Sequence, residues 1–149
     1  MNNWTFGSIT LNPYEISALA VLGVMAAMYF TAKLTGWQDL ARSYRSQQPF
    51  RGKKWHCQSA RMRSGSNYDN CLTVGVDEQG LYLSPFFPFS IGHAPLFIPW
   101  GDLTARRKKV FFVYMVELQT SRTPNAPIEI MESLAKQINE AFPNRIPIT

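Results

Sequence analysis

The chain has 149 residues, 46% of them apolar, and 15 Lys and Arg against 10 Asp and Glu give a net charge of +5. That length holds one core and an appendage; the apolar share excludes a disordered polymer, and two cysteines exclude a disulfide-built scaffold. The charge is uneven: Arg42, Arg45, Arg51, Lys53, Lys54, Arg61 and Arg63 follow one another without an acidic residue, which points to an anionic surface nearby.

Residues 1–12 read as a short N-terminal tail. Asn12-Pro13-Tyr14-Glu15 then reads as a helix start, with Asn as N-cap, proline where a missing N–H is harmless, and glutamate capping back. The helix expected over 13–34 is about 33 Å long at about 1.5 Å per residue, against a hydrocarbon layer of about 30 Å. Ile16 to Ala32 carries no charge, and no polar stripe interrupts it. A core helix and a cleaved signal peptide are the competing readings; the second needs a basic leading segment, and no Lys or Arg precedes Lys33. A transmembrane helix is expected, with Glu15 and Lys33 at its two interfaces. Since basic residues crowd only the C-terminal flank, the expected setting is the inner membrane, single-pass, N-terminus outside and C-terminal domain cytoplasmic. Trp4, Phe6 and Tyr14 are expected at the outer interface. Gly23, Ala27 and Thr31 form a small-residue stripe that suits a helix-mediated homodimer, or simply a non-associating anchor.

Residues 35–46 read as a juxtamembrane amphipathic helix. Trp37, Leu40, Ala41 and Tyr44 share one face. That face suits either the membrane interface, with Arg42 and Arg45 on lipid phosphates, or the soluble domain; a stripe does not name its partner. On the first alternative, Lys33, Trp37, Arg42, Tyr44 and Arg45 are the membrane-contact residues. Residues 47–53 break the helical period and read as a linker.

From 54 to 149 the pattern is short strands and turns. Trp55–Met62 and Tyr68–Val76 flank a turn at Ser64-Gly65-Ser66-Asn67, and Leu72, Val74, Val76, Leu81 and Leu83 mark one sheet face. The proline-rich SPFFPFSIGHAPL segment is expected as an excursion or edge. LFIPW returns to strand character, Asp102–Arg107 and Val110–Leu118 form a hairpin-like pair, and Val110–Val116 is expected as a central strand. Ile128-Glu129-Ile130 gives a last strand, and Met131, Leu134, Ile138 and Ala141 or Phe142 give a C-terminal amphipathic helix ending at Pro143. The expected fold is therefore α+β: an N-terminal transmembrane helix, then a small antiparallel β-barrel or bent sandwich of six or seven strands, closed by a helix.

This order is similar to the pleckstrin-homology (PH) superfold and its GRAM-like relatives. GWQDLARSYR, QPF, GLYLS and PLFIPWGDL also resemble a group of small bacterial single-span proteins of unknown function with a PH-like cytosolic part, from about Gly36 to Ile130. The resemblance implies architecture and supplies no activity. Phosphoinositide-binding PH domains carry basic residues around their first hairpin. Lys53, Lys54, Arg61 and Arg63 fall near that place, but the largest run, Arg106-Arg107-Lys108-Lys109, belongs to a later hairpin, so inositol-lipid recognition is not carried over.

Chemistry-bearing motifs are weak. His56, Cys57, Cys71 and His93 match no metal spacing, and Ser90, His93 and Asp102 lack a nucleophile elbow. Cys57 and Cys71 would face each other if they lay on adjacent strands, which admits a disulfide in an exported domain. No phosphate-binding glycine loop is present, no cofactor is expected, and without a nucleic-acid motif no nucleic-acid partner is expected. The expectation is a non-enzymatic binding module tethered to membrane lipid, recruiting a protein or lipid partner through Arg106, Arg107, Lys108, Lys109 and the aromatic loop of Phe86, Phe87 and Phe89. A structural subunit of a larger membrane complex is the alternative, with an unfamiliar enzyme behind it.

Overall fold

A computed structural model of the chain describes residues 4–7, 9–63 and 66–146. Strands β1 (Trp4–Phe6) and β2 (Ile9–Leu11) form a hairpin within the expected short N-terminal tail, with Gly7 in the left-handed region between them. The side chains of Trp4 and Phe6, expected at an interface, lie outside the described residues, as do Ser64 and Gly65 of the expected turn.

Helix α1 (Pro13–Leu34) starts on a capping box: Asn12 Oδ1 accepts from Glu15 N at 2.9 Å, and Glu15 Oε2 accepts from Asn12 N at 2.8 Å. It is long and apolar enough to cross a membrane. Its apolar side chains stand outside the β-rich unit, with Val21, Leu22 and Phe30 each 60% exposed. Only its C-terminal end is rooted in the domain. Ala32 and Thr35 are buried, and the chain turns at Gly36, whose φ of 86° suits glycine and where a Cβ would meet Ala126 Cβ at 2.9 Å.

Helix α2 (Trp37–Tyr44) follows without slack. Its apolar face, for which two partners were open, packs on the sheet: Trp37, Leu40 and Tyr44 are buried. Trp37 Nε1 donates to Ala94 O at 2.8 Å, and Tyr44 Oη accepts from Arg122 N at 3.1 Å.

Seven strands make one curled antiparallel sheet: β3 (Lys53–Arg61), β4 (Asn67–Val76), β5 (Gly80–Pro85), β6 (Leu96–Pro99), β7 (Leu103–Val110), β8 (Val113–Thr120) and β9 (Ile128–Met131), in the spatial order β6-β5-β4-β3-β9-β8-β7. Two meanders thus join where β9 pairs with β3, Ala60 facing Ile130. The expected face is the core: Leu72, Val74, Val76, Leu81 and Leu83 are buried, joined by Leu96, Ile98, Val116, Leu118, Ile128 and Ile130. Burying each such side chain stabilises by about 1.5–3 kcal/mol. Helix α3 (Glu132–Ala141) covers this core with Leu134, Ala135 and Ile138. A bulge in β3 sets Cys57 at φ 55°, exposed, while Cys71 on the neighbouring β4 is buried; both are free thiols.

One expected strand start is displaced. Phe111 and Phe112 are not strand residues but the two-residue turn between Val110 and Val113, with Phe111 at φ 55°. Strand β8 is interior to the sheet, one place from its β7 edge.

Candidate functional site

An open cleft of about 820 Å³ lies where the end of α2 and residues 45–52 meet the β4–β5 turn and β6. Its construction is local. Arg45 makes a β-bridge to Leu96, Ser46 N donates to Pro95 O at 2.8 Å, and Ser46 Oγ donates to Gln48 O at 2.9 Å, which turns the chain along the sheet edge. Phe50 then stacks on Tyr82, centroids 4.7 Å apart and 8° from parallel. Gly75 admits that ring: a Cβ there would stand 2.4 Å from Phe50 Cε1. The opposite wall is the Asp77 turn, where Asp77 Oδ1 accepts from Gln79 N and Gly80 N at 2.7 and 2.9 Å. Arg122 closes the cleft, its Nε 3.3 Å from Asp102 Oδ2 and its guanidinium over the Tyr44 ring.

The lining joins Arg45, Arg51 and Arg122 to Gln47, Gln48, Gln79 and an aromatic floor of Phe50 and Phe97, with Asp77 its one acidic member. Among the described residues Arg122 has its carboxylate in Asp102, whereas no carboxylate comes within 4.0 Å of a charged nitrogen of Arg45 or Arg51. An open, amide-rich groove with two unanswered guanidinium groups is suited to a carboxylate or phosphate on a partner.

Comparison with protein-family models, with curated proteins and with solved structures returns no match.

Of the expected site residues, Tyr44 and Arg45 line the cleft and the others lie outside it. Lys33, Arg42 and Arg45 are exposed, as membrane contact requires, but Trp37 and Tyr44 are inside the domain and are corrected: the core offers their rings a larger apolar contact than the interface would. The basic run lies along edge strand β7 and is largely answered by carboxylates of β8, β9 and α3. Arg106 meets Glu117 at 3.0 Å, Arg107 meets Glu132 at 3.0 Å, and Lys108 bridges Glu117 at 3.5 Å and Glu129 at 2.7 Å. These contacts hold the Lys108 ammonium above its ordinary pKa, the Glu129 hydrogen bond foremost. Lys109 lies over the Tyr114 ring at 5.5 Å. Cations on a free edge also discourage pairing with another strand. Arg61 and Arg63 near the first long hairpin are likewise engaged, with Glu129 at 3.9 Å and Asp39 at 3.2 Å. Phe86, Phe87 and Phe89 are exposed at 42%, 77% and 43%.

The four metal-capable residues do not converge: the His56 ring bonds Thr73 Oγ1 at 3.0 Å, and His93 Nε2 bonds Tyr68 Oη at 2.8 Å. Of the three hydrolase letters, Ser90 and His93 are neighbours, His93 N donating to Ser90 O, but Asp102 pairs with Arg122 and the imidazole is engaged by Tyr68 and Ile91 O. Tyr68 Oη also bonds Thr35 Oγ1 at 2.8 Å, so a buried hydroxyl–phenol–imidazole chain sits at the root of α1. Burial pushes the Tyr68 phenol up to about 12, pulls the His93 imidazole below its ordinary value, and raises the Cys71 thiol, with Asp69 adding to the last.

The cleft escaped the sequence reading because Arg122 and Arg51 meet only through the fold. Its one sequence signal was the acid-free basic stretch containing Arg45 and Arg51.

Proposed function

We propose that this chain is a single-pass membrane protein whose PH-like β domain is held at the cytoplasmic face as a non-enzymatic binding module, with the arginine-lined cleft as its recruiting surface. The observation that carries the reading is the exposure of α1: a helix of 22 residues whose apolar side chains project from the domain on every side has water or lipid as its surroundings, and only lipid repays them. Orientation is supported by charge, since Lys33 in the last turn of α1 and Arg42, Arg45, Arg51, Lys53 and Lys54 after it are exposed while residues 1–12 contain no Lys or Arg. The PH-like reading is supported by a four-strand meander, a three-strand meander closing on its first strand, and a covering helix. A partner already at the membrane loses less translational freedom on binding, so a shallow cleft suffices.

The test is the paired substitution Val21→Arg and Val24→Arg. The two arginines near mid-helix together cost about 5–7 kcal/mol on the insertion scale, more than the roughly 2–4 kcal/mol that Ile16, Leu19, Val21, Leu22, Val24 and Phe30 of α1 return together. The variant is expected in the soluble fraction after alkaline carbonate extraction, with the native chain in the pellet; a native chain released by carbonate overturns the reading.

A further inference from the structure

We propose that the Phe86–Phe89 loop is a second membrane-seated element, its rings placed in the headgroup–acyl boundary of the bilayer beside α1. This rests on the reading of α1 as a span. Four observations converge on it.

The first is position. The loop folds back along α1 rather than away from it: Phe89 and His93 share a groove with Met28 and Thr31, and Gly92 lies so close to the helix that a Cβ there would stand 3.0 Å from Tyr29 Cα. The second is depth. Starting from Pro13, about 20 residues of helix are needed to cross about 30 Å of hydrocarbon, which reaches about Ala32. Tyr29 is three residues short of that, so the backbone packed against it lies about 4–5 Å inside the hydrocarbon edge at 1.5 Å per residue. Tilting the helix increases the length needed and places the loop deeper still.

The third is composition. Phe86 to Pro95 contains no Asp, Glu, Lys or Arg, and its one ionisable group, His93, is buried against Tyr68 and Trp37 rather than presented outward. Three exposed phenylalanines on one loop form the kind of patch that soluble surfaces avoid, and Phe89 shares its groove with Met28 and Thr31 of α1, which Asn67 and Asp69 also line. The fourth is charge. Arg42 and Arg45 line another groove along the same loop, with Gly92 and Ala94; Arg42 is 77% exposed and lies 3.5 Å from Asp39, its neighbour on α2. Guanidinium groups bordering an apolar loop match phosphate headgroups bordering acyl chains. Lipid therefore fits this surface better than a protein partner, whose contact would leave the loop's depth beside α1 without a cause.

Collision-accessibility measurements on nitroxide labels test this in the full chain. The protein carries Cys57→Ser, leaving Cys71 buried, and sits in nanodiscs of phosphatidylcholine and phosphatidylglycerol. Single labels are introduced at Phe87→Cys in the loop, Leu22→Cys in α1 and Glu78→Cys in the β4–β5 turn. Labels 87 and 22 are expected to collide more with dissolved oxygen than with a water-soluble nickel chelate, and label 78 the reverse. Label 87 behaving like label 78 while label 22 remains in lipid overturns the loop assignment and leaves the span standing. Label 22 behaving like label 78 overturns the span itself, and the loop assignment falls with it.

Discussion

Tyr68 Oη and His93 Nε2 share a 2.8 Å hydrogen bond whose direction is set by what the other imidazole nitrogen does. His93 Nδ1 lies 2.9 Å from Ile91 O, which only accepts, so the neutral ring carries its proton on Nδ1 and Tyr68 donates to Nε2. Thr35 then donates to Tyr68.

This arrangement favours neutral histidine and makes stability depend on acid. The folded His93 pKa lies below 6.5, so the unfolded chain binds the extra proton first, and stability falls as pH drops through 6.5 toward the folded value. The slope is at most about 1.4 kcal/mol per pH unit for one proton. Denaturation midpoints of the nanodisc-held protein between pH 7.5 and 5.5 are expected to decline, and His93→Gln, whose amide oxygen still accepts from Tyr68, is expected to flatten that decline.

Lys108 separates two glutamates that the β8–β9 register places opposite each other, Glu117 and Glu129, both nearly buried. Lys108→Met should cost about 1–2 kcal/mol at neutral pH, less than a fully buried pair because the ammonium is partly solvated and Arg106 and Arg61 remain. The loss should shrink as salt is raised, because the partly solvated ammonium is screened. Thermal unfolding at low and high salt checks this, and an equal loss at both assigns the effect to packing of the lysine stem.

Gly75→Ala should destabilise by about 1–3 kcal/mol by overpacking against Phe50. In a Phe50→Ala background the same substitution is expected to cost much less. The double-mutant cycle measures a coupling that a local backbone effect at Gly75 would not produce.

Arg45→Glu with Arg51→Glu should leave unfolding within about 0.5 kcal/mol, because both groups are exposed and face no carboxylate. The same pair should weaken capture of a membrane partner by about tenfold or more through charge reversal. Quantitative pull-down from native membranes, native chain against variant, decides it; equal capture places the partner elsewhere.

What the sequence announced was whatever local pattern encodes. The capping box at Asn12, the uncharged helix behind it, the alternation through Leu72, Val74 and Val76, and the stripe of α3 each follow from residues a few positions apart. Three features did not. The face of α2 required knowing that Ala94 O and Arg122 N stand opposite Trp37 and Tyr44. Phe111 and Phe112 have strong strand propensity, and only the pairing of Val110 with Val113 makes them a turn. The basic run looked available because Glu117, Glu129 and Glu132, its counter-charges, arrive through register and helix placement rather than neighbouring positions.

Thr35 and Gly36 join α1 to α2 with no spare residues, both buried, so the shaft and the head of this molecule turn as one piece. On the proposed reading of α1 as a span, a ligand gripping the head would be held at a set height and azimuth above the bilayer instead of on a swinging leash, and torque on it would pass into the shaft.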